Sequence, residues 1–232
     1  MKAEIIEIFK NVVEYKNFGL NALTISAIAT ILFSILQAYG ILKQNQAIRE
    51  KESGESISTL FFFYNFFYFF IFFIYGISEK SLAMSINGAL SFLYIPILSA
   101  LRRFKGFTKG EVITALLMSL VVPAVIIYEE KHQLLFLFSC FSVVAIVKQF
   151  KEISKEVGFG ALSVKYIWMF FITSIFWCIY FAATNNWLLE IPCVIGTTLY
   201  AAALILEKTW REQERLAPLS FKIFKKLRKE NK

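Results

Sequence analysis

The segment LKQNQAIREKESGESIS at residues 42–58 has a second version, VKQFKEISKEVGFGALS, at residues 147–163. Each version joins the end of one apolar run to the start of the next. Each contains a Lys-Gln pair, a charged loop with glycine, and a serine fourteen residues after the glutamine. The glutamines, Gln44 and Gln149, are 105 positions apart, as are the serines, Ser58 and Ser163. This constant offset indicates an internal repeat.

The composition predicts a membrane protein. Hydrophobic residues make up 57% of the 232 residues, whereas soluble domains use about 45–50%. The segment FFFYNFFYFFIFFIY at residues 61–75 is apolar all round except for Asn65, so a helix formed by it has no face for water. We therefore set aside a soluble helical bundle. Seven apolar runs approach the roughly 17–25 residues of a membrane helix, at residues 20–42, 57–76, 81–101, 112–128, 133–147, 161–183 and 187–206.

The distribution of basic residues predicts the orientation in the membrane. With seven spans, twenty of the 25 Lys and Arg residues lie in the first, third and fifth loops and the C-terminal tail. Only five lie in the N-terminal segment and the remaining loops. The positive-inside rule then places the N-terminus outside and the C-terminus in the cytosol. The net charge of +8 is explained by topology and needs no nucleic-acid partner.

The repeat predicts two parallel bundles of three helices joined by a linker helix (3+1+3). Three spans alone would turn the second half upside down, and the fourth span restores its direction, so the halves relate by an axis along the membrane normal. We expect an interfacial N-terminal segment (1–19), a first bundle (20–101), a linker with the fourth helix (102–132), a second bundle (133–206) and a basic cytosolic tail (207–232).

These features together resemble the SWEET and PQ-loop family of seven-helix membrane transporters. That family's unit has Pro-Gln at the end of its first helix, a basic loop ending in Ser, W-x-x-Y-G in the second helix and P-N-x-x-G in the third. The matching stretches are LKQ (42–44), FFIYG (72–76) and IN (86–87) in the first half, and VKQ (147–149), WCIY (177–180) and PCVIG (192–196) in the second. The resemblance covers roughly residues 20–206 and implies an all-α alternating-access carrier of small solutes, typically sugars, with helices ordered first, third, second in each bundle.

The resemblance also implies a substrate site in which a Trp and an Asn from each half meet. By position these are Phe72 and Asn87 in the first half, and Trp177 and Cys193 in the second. An aromatic face can stack on a sugar ring, and an amide both donates to and accepts from hydroxyl groups. Asn65, the only amide of the second span, is a further candidate, although it could simply connect two helices. The change from Asn to Cys193 makes the two sides of the site unequal.

The gating or hinge positions depart from the family pattern. Both Pro-Gln pairs are Lys-Gln here, so the proline that bends a helix is absent from both halves and the hinge must lie elsewhere. The gating candidates are Gln44, Gln149, Lys43, Lys148, Tyr75 and Tyr180. The two lysines should extend to the cytosolic face, where they serve topology or attract an anionic solute.

No other chemistry is indicated by the sequence. There is no nucleotide-binding loop and no metal-ligand motif, and the cysteines, odd in number, all lie in predicted spans. We therefore expect no enzyme, no cofactor and no metal. We expect a facilitator of downhill transport, because the chain lacks Asp and only Glu190 lies near the proposed site; His132 is expected in a solvated outer loop.

The predicted partners are a small, sugar-like solute and the lipid bilayer of the plasma membrane; pairing of carriers stays open. The alternatives are a carrier of amino acids or other metabolites, and a receptor or scaffold of the same fold.

Overall fold

The computed structural model describes residues 12–16, 18–128, 131–156 and 159–216. Within these ranges the chain is all-helical, without β-strands, and seven helices are long and apolar enough to cross a membrane. We number them spans 1 to 7: Ala22–Glu50, Thr59–Ser78, Leu82–Phe104, Lys109–Ile127, Lys131–Glu156, Val164–Ala183 and Trp187–Leu216. The seven predicted spans are confirmed. In the expected interfacial N-terminal segment the structure describes a short helix, Val13–Lys16, and the tail beyond residue 216 lies outside the described residues.

Short polar side chains set the starts of four spans. Asn21, Ser58, Ser81 and Thr108 each accept a hydrogen bond from a backbone N–H in the first turn of the helix that follows. These caps satisfy N–H groups that have no partner within the helix. Spans 1, 5 and 7 continue well past the predicted ends, because backbone hydrogen bonding continues into the charged sequence after the apolar run has ended.

Span 1 has its polar residues inside and its apolar residues outside. Its buried positions are mostly small or polar: Thr24, Ser26, Ala27, Thr30, Ser34, Gln37, Gly40, Ile41, Gln44 and Ile48. Its exposed positions include large aliphatic side chains such as Ile28, Leu32 and Ile35. A water-soluble helix would have the opposite arrangement. The exposed apolar face therefore contacts lipid, and the chain is an integral, multi-pass membrane protein.

The helices pack in an order that differs from their order in the sequence. Span 3 packs against spans 1 and 2, and span 7 packs against spans 5 and 6. In the described residues, spans 1 and 2 do not contact each other, and neither do spans 5 and 6. Across the two halves, span 1 packs on span 6 and span 2 on span 5. Span 4 packs mainly on span 2, and only 6% of its apolar stretch is buried.

Span 3 changes its helical geometry near the middle. The α-helix Leu82–Gly88 passes into a 3₁₀ segment, Ala89–Leu93, before the α-helix Tyr94–Phe104 resumes. Gly88 lies at this change, and a Cβ atom there would come within 2.3 Å of the Phe73 backbone nitrogen. Only glycine allows spans 2 and 3 to approach so closely.

Candidate functional site

A cavity of about 110 Å³ lies between the two halves of the protein. Spans 1, 2, 3, 5, 6 and 7 contribute its walls, and span 4 does not. No Asp, Glu, Lys, Arg or His of the described chain lines it. Its aromatic lining is Tyr64, Tyr68, Phe69, Phe72, Phe170, Trp177, Phe181 and Tyr200, and its polar lining is Gln37, Asn65, Asn87, Ser139, Ser142, Ser174, Cys193 and Thr197. The cavity is therefore neutral, with hydrogen-bonding groups set among aromatic rings.

The five predicted binding residues all line this one cavity. Asn87, Trp177, Phe72, Cys193 and Asn65 come from spans 2, 3, 6 and 7. Their shared location follows from the repeat, because equivalent positions of two halves facing each other meet near the axis between them. No binding measurement bears on them, so their role stays a prediction.

Asn87 is held in place by two neighbours on span 1. Its Nδ2 atom donates to Ser34 Oγ at 2.9 Å and to Gln37 Oε1 at 2.6 Å. The amide N–H groups are thereby used within the protein, and the side chain is 2% exposed. Of the groups on Asn87, the oxygen is the one left to accept from a solute. The sequence reading did not single out Gln37, although an amide within a span is the same signal that pointed to Asn87.

Trp177 and Phe72, at equivalent positions of the two halves, are in contact. Their ring centroids are 5.1 Å apart and their planes are inclined by 73°. Trp177 also packs on Tyr180 and Phe181. Its Nε1–H group is buried and has no hydrogen-bond partner in the described part of the chain. A buried donor without a partner is costly, so a solute acceptor at this point would gain a hydrogen bond.

Cys193 and Asn65 have local partners. The Cys193 thiol lies 3.2 Å from the sulfur of Cys178 and 3.5 Å from the backbone oxygen of Ser174. Asn65 Nδ2 donates to the backbone oxygen of Phe61 in its own helix, at 2.7 Å. Asn65 therefore makes no amide hydrogen bond to a second helix in the described chain, and the wall formed by spans 6 and 7 carries a thiol where the opposite wall carries an amide.

At one end of the molecule, Gln44 of the first half binds the loop of the second half. Its Nε2 atom donates to the backbone oxygen of Ala161 at 3.0 Å, and its Oε1 atom accepts from the backbone nitrogen of Ser163 at 2.7 Å. Gln44 is fully buried. A buried amide with both ends satisfied by backbone groups fixes its partner loop in direction as well as in position.

Gln149 makes the equivalent contacts in the reverse direction. Its Nε2 atom donates to the backbone oxygen of Ser56 at 2.6 Å, and its Oε1 atom accepts from the backbone nitrogen of Ser58 at 2.9 Å. These partners lie 105 positions before those of Gln44. We call the two reciprocal contacts the glutamine clasp. It joins the halves at the end of the molecule that carries both repeated connectors.

At the opposite end, the equivalent tyrosines also make contacts between the halves. The hydroxyl of Tyr75 in span 2 lies 2.5 Å from Nδ1 of His132 in the first turn of span 5. The hydroxyl of Tyr180 in span 6 donates to Glu14 at 3.0 Å and lies 3.1 Å from Ser81 Oγ. His132 is exposed, as predicted, but it lies in the first turn of a helix and not in a loop, and it contacts Tyr75. These contacts, here named the tyrosine contacts, lie beyond the cavity from the glutamine clasp.

Within the residues that the structure describes, the two predicted gating lysines make no hydrogen bond or ion pair between the halves. Lys43 Nζ donates to Gln46 on its own helix at 2.7 Å and lies over the ring of Tyr39. Lys148 is exposed, and no contact with the other half is described for it. Of the six predicted gating residues, the glutamines and tyrosines make contacts between the halves, and the lysines do not.

Seven membrane helices, a third helix packed between the other two in each half, and a cavity between the halves define a SWEET-type membrane fold. Among solved structures, the chain is similar to a eukaryotic SWEET transporter determined at 3.7 Å resolution, with a TM-score of 0.56 and 14% sequence identity. The match covers 82% of this chain and 97% of that one. No family model matches the sequence, and no curated protein matches it either. The all-helical fold with seven membrane spans that the sequence predicts is therefore confirmed.

Proposed function

We propose that the protein is a membrane carrier that moves a small, uncharged, hydroxyl-rich solute, such as a sugar, downhill by alternating access. The observation that supports this most is the neutral cavity, whose amide, hydroxyl and aromatic groups match the polar edges and apolar faces of a sugar ring. A zwitterionic amino acid would bring two charges into a site whose described lining offers no charged partner, and burial of unpaired charge is expensive.

The two sets of contacts at the ends of the cavity support alternating access. On this proposal the glutamine clasp closes one end of the cavity and the tyrosine contacts close the other. To open one end of the cavity, the protein must break the contacts at that end, either the glutamine clasp or the tyrosine contacts, and keep those at the other end. On the proposed orientation, with the N-terminus outside, the glutamine clasp is the cytosolic gate of a protein in the plasma membrane.

The hinge of this movement would lie in the third helix of each half. In the first half, span 3 contains the 3₁₀ segment Ala89–Leu93, a geometry that often marks a hinge. In the second half, Pro192 lies inside span 7 and removes one backbone hydrogen bond from the helix. These positions take the place of the missing prolines of the Pro-Gln pairs.

Uptake into proteoliposomes tests the proposal. Purified protein is reconstituted and offered labelled hexose, disaccharide, zwitterionic amino acid and organic cation, with and without a proton or sodium gradient. We expect hexose to move in both directions without a gradient. A protein that binds a solute but moves none would instead be a receptor of this fold.

A pair of tryptophan variants tests whether uptake depends on a residue that lines the cavity. Trp177→Ala removes a ring from the cavity, and the loss of roughly 1–3 kcal/mol of contact energy should lower hexose flux at low hexose concentration about 5- to 150-fold. Trp168→Ala is the matched control, because Trp168 lies on the same helix and is 45% exposed towards lipid. Equal flux in the two variants, at equal thermal stability, would remove Trp177 from the site.

A further inference from the structure

Two cysteines, one of them in the lining of the cavity, are in contact, and the transport proposal gives this contact no role. Cys178 of span 6 and Cys193 of span 7 have their sulfur atoms 3.2 Å apart, with the Cys178 thiol donating to Cys193. The hydroxyl of Thr197 lies 3.6 Å from the Cys178 sulfur. Both cysteines are free and partly buried. The third cysteine, Cys140, is exposed on another helix, so the pair stands apart from it.

The distance between the sulfur atoms allows a disulfide after a small adjustment. A disulfide bond is about 2.05 Å long, so the two sulfurs would need to approach by about 1.2 Å. Cys193 is among the residues that line the cavity, and Cys178 is not. A small molecule in the cavity therefore meets Cys193 first, and Cys178 is the thiol positioned to react next.

The location of the pair gives a disulfide a mechanical consequence. Cys193 directly follows Pro192, where span 7 lacks a helical hydrogen bond. Cys178 directly follows Trp177, a buried ring that lines the cavity on the same wall. A covalent bond between them would fix the proline turn of span 7 to the turn of span 6 that carries Trp177, next to the hinge of the proposed movement.

We propose that Cys178 and Cys193 form a dithiol site that reacts with low-molecular-weight disulfides and closes into an intramolecular disulfide. The thiolate of Cys193 attacks the small disulfide, forms a mixed disulfide and releases one small thiolate. The thiolate of Cys178 then attacks the Cys193 sulfur and releases the second. The two protein thiols lose two electrons and two protons, and the small disulfide is reduced to two thiols. The arrest of transport that follows rests on the proposed function, whereas the chemistry does not.

Reaction with a dipyridyl disulfide tests the chemistry on the full-length protein. In a Cys140→Ser background, native protein in detergent should release two reporter thiols per chain, lose the mass of two hydrogen atoms and carry no adduct. In Cys140→Ser with Cys178→Ser, it should release one reporter thiol and keep one adduct on Cys193. Two stable adducts on the pair, or no release from native protein that reacts once denatured, would overturn the proposal.

Hexose exchange in the same proteoliposomes tests whether the disulfide between Cys178 and Cys193 arrests transport. After the reagent, exchange by the Cys140→Ser protein should fall at least about tenfold and return after dithiothreitol. Unchanged exchange after complete closure of the disulfide would overturn the arrest. If the untreated protein moves no hexose, the transport proposal fails, while the thiol counts and masses still decide the dithiol site.

Discussion

Replacement of Gln44 by leucine is expected to weaken the closure at the glutamine clasp by a predictable amount. The substitution keeps the size of the side chain and removes two hydrogen bonds, to Ala161 and Ser163. At a net value of about 1 kcal/mol each, their loss should cost the closed state about 2 kcal/mol. Because 1.4 kcal/mol corresponds to a factor of ten, the fraction of open molecules should rise about 30-fold.

The labelling rate of a reporter cysteine measures this fraction. Ala161→Cys, in a chain whose three native cysteines are replaced by serine, places the thiol where the native side chain is 1% exposed. The contact with Gln44 is kept, since it uses the backbone oxygen. A membrane-impermeant maleimide added on the clasp side then reacts only with open molecules, and we expect labelling about 30 times faster with Gln44→Leu.

Gln46→Leu is the matched control for this measurement. Gln46 lies on the same helix and is exposed, with hydrogen bonds to Lys43 and Glu50 of its own helix. Its replacement should leave the labelling rate unchanged. The reasoning is refuted if Gln44→Leu labels no faster than the parent protein, or if both variants accelerate equally, because the clasp would then not control this end of the cavity.

Three further outcomes follow from single contacts. Gly88→Ala should lower the free energy of unfolding by about 1–3 kcal/mol, because the added methyl group overlaps the backbone of Phe73; thermal unfolding in detergent measures the loss, and an unchanged midpoint would contradict the packing. Tyr180→Phe removes the hydroxyl that contacts Glu14 and should raise the accessibility of the cavity from the side opposite the clasp about 5- to 10-fold, as read by a maleimide added there; equal rates would exclude a gate. Cys193→Asn should lower the hexose KM by providing a donor and an acceptor where a weakly bonding thiol now stands, and a higher KM would count against contact with the solute.

The sequence predicted the parts of the site that the two halves share. Gln44 and Gln149, and Ser58 and Ser163, are identical residues at one offset, so their equivalence could be read directly from the chain. Trp177 and Asn87 were predicted by their positions in the unit that resembles the SWEET and PQ-loop family, and both line the cavity. It did not reveal that each glutamine binds the loop of the other half, since an offset relates positions and carries no information about contacts.

The contacts outside the repeat could not be predicted in this way. The equivalent tyrosines, Tyr75 and Tyr180, have different partners, His132 and Glu14, and Glu14 lies in the segment before span 1. The contact between Cys178 and Cys193 depends on how spans 6 and 7 are rotated about their own axes. Hydropathy fixes the length of a lipid-facing helix, but the rotation is set by packing between particular side chains.

The reciprocity of the glutamine clasp has a consequence for how the two walls of the cavity can vary. Two identical copies of one bundle, related by a two-fold axis, would form both contacts of the clasp from a single sequence. In such a dimer every substitution appears twice, so the facing walls remain alike. In a single continuous chain the two halves can differ. Asn87 of the first half has Cys193 as its equivalent in the second half, whereas Gln44 and Gln149 are identical. Covalent duplication thus frees the two walls of the lining to become different and selective, because only the closure needs to stay symmetric.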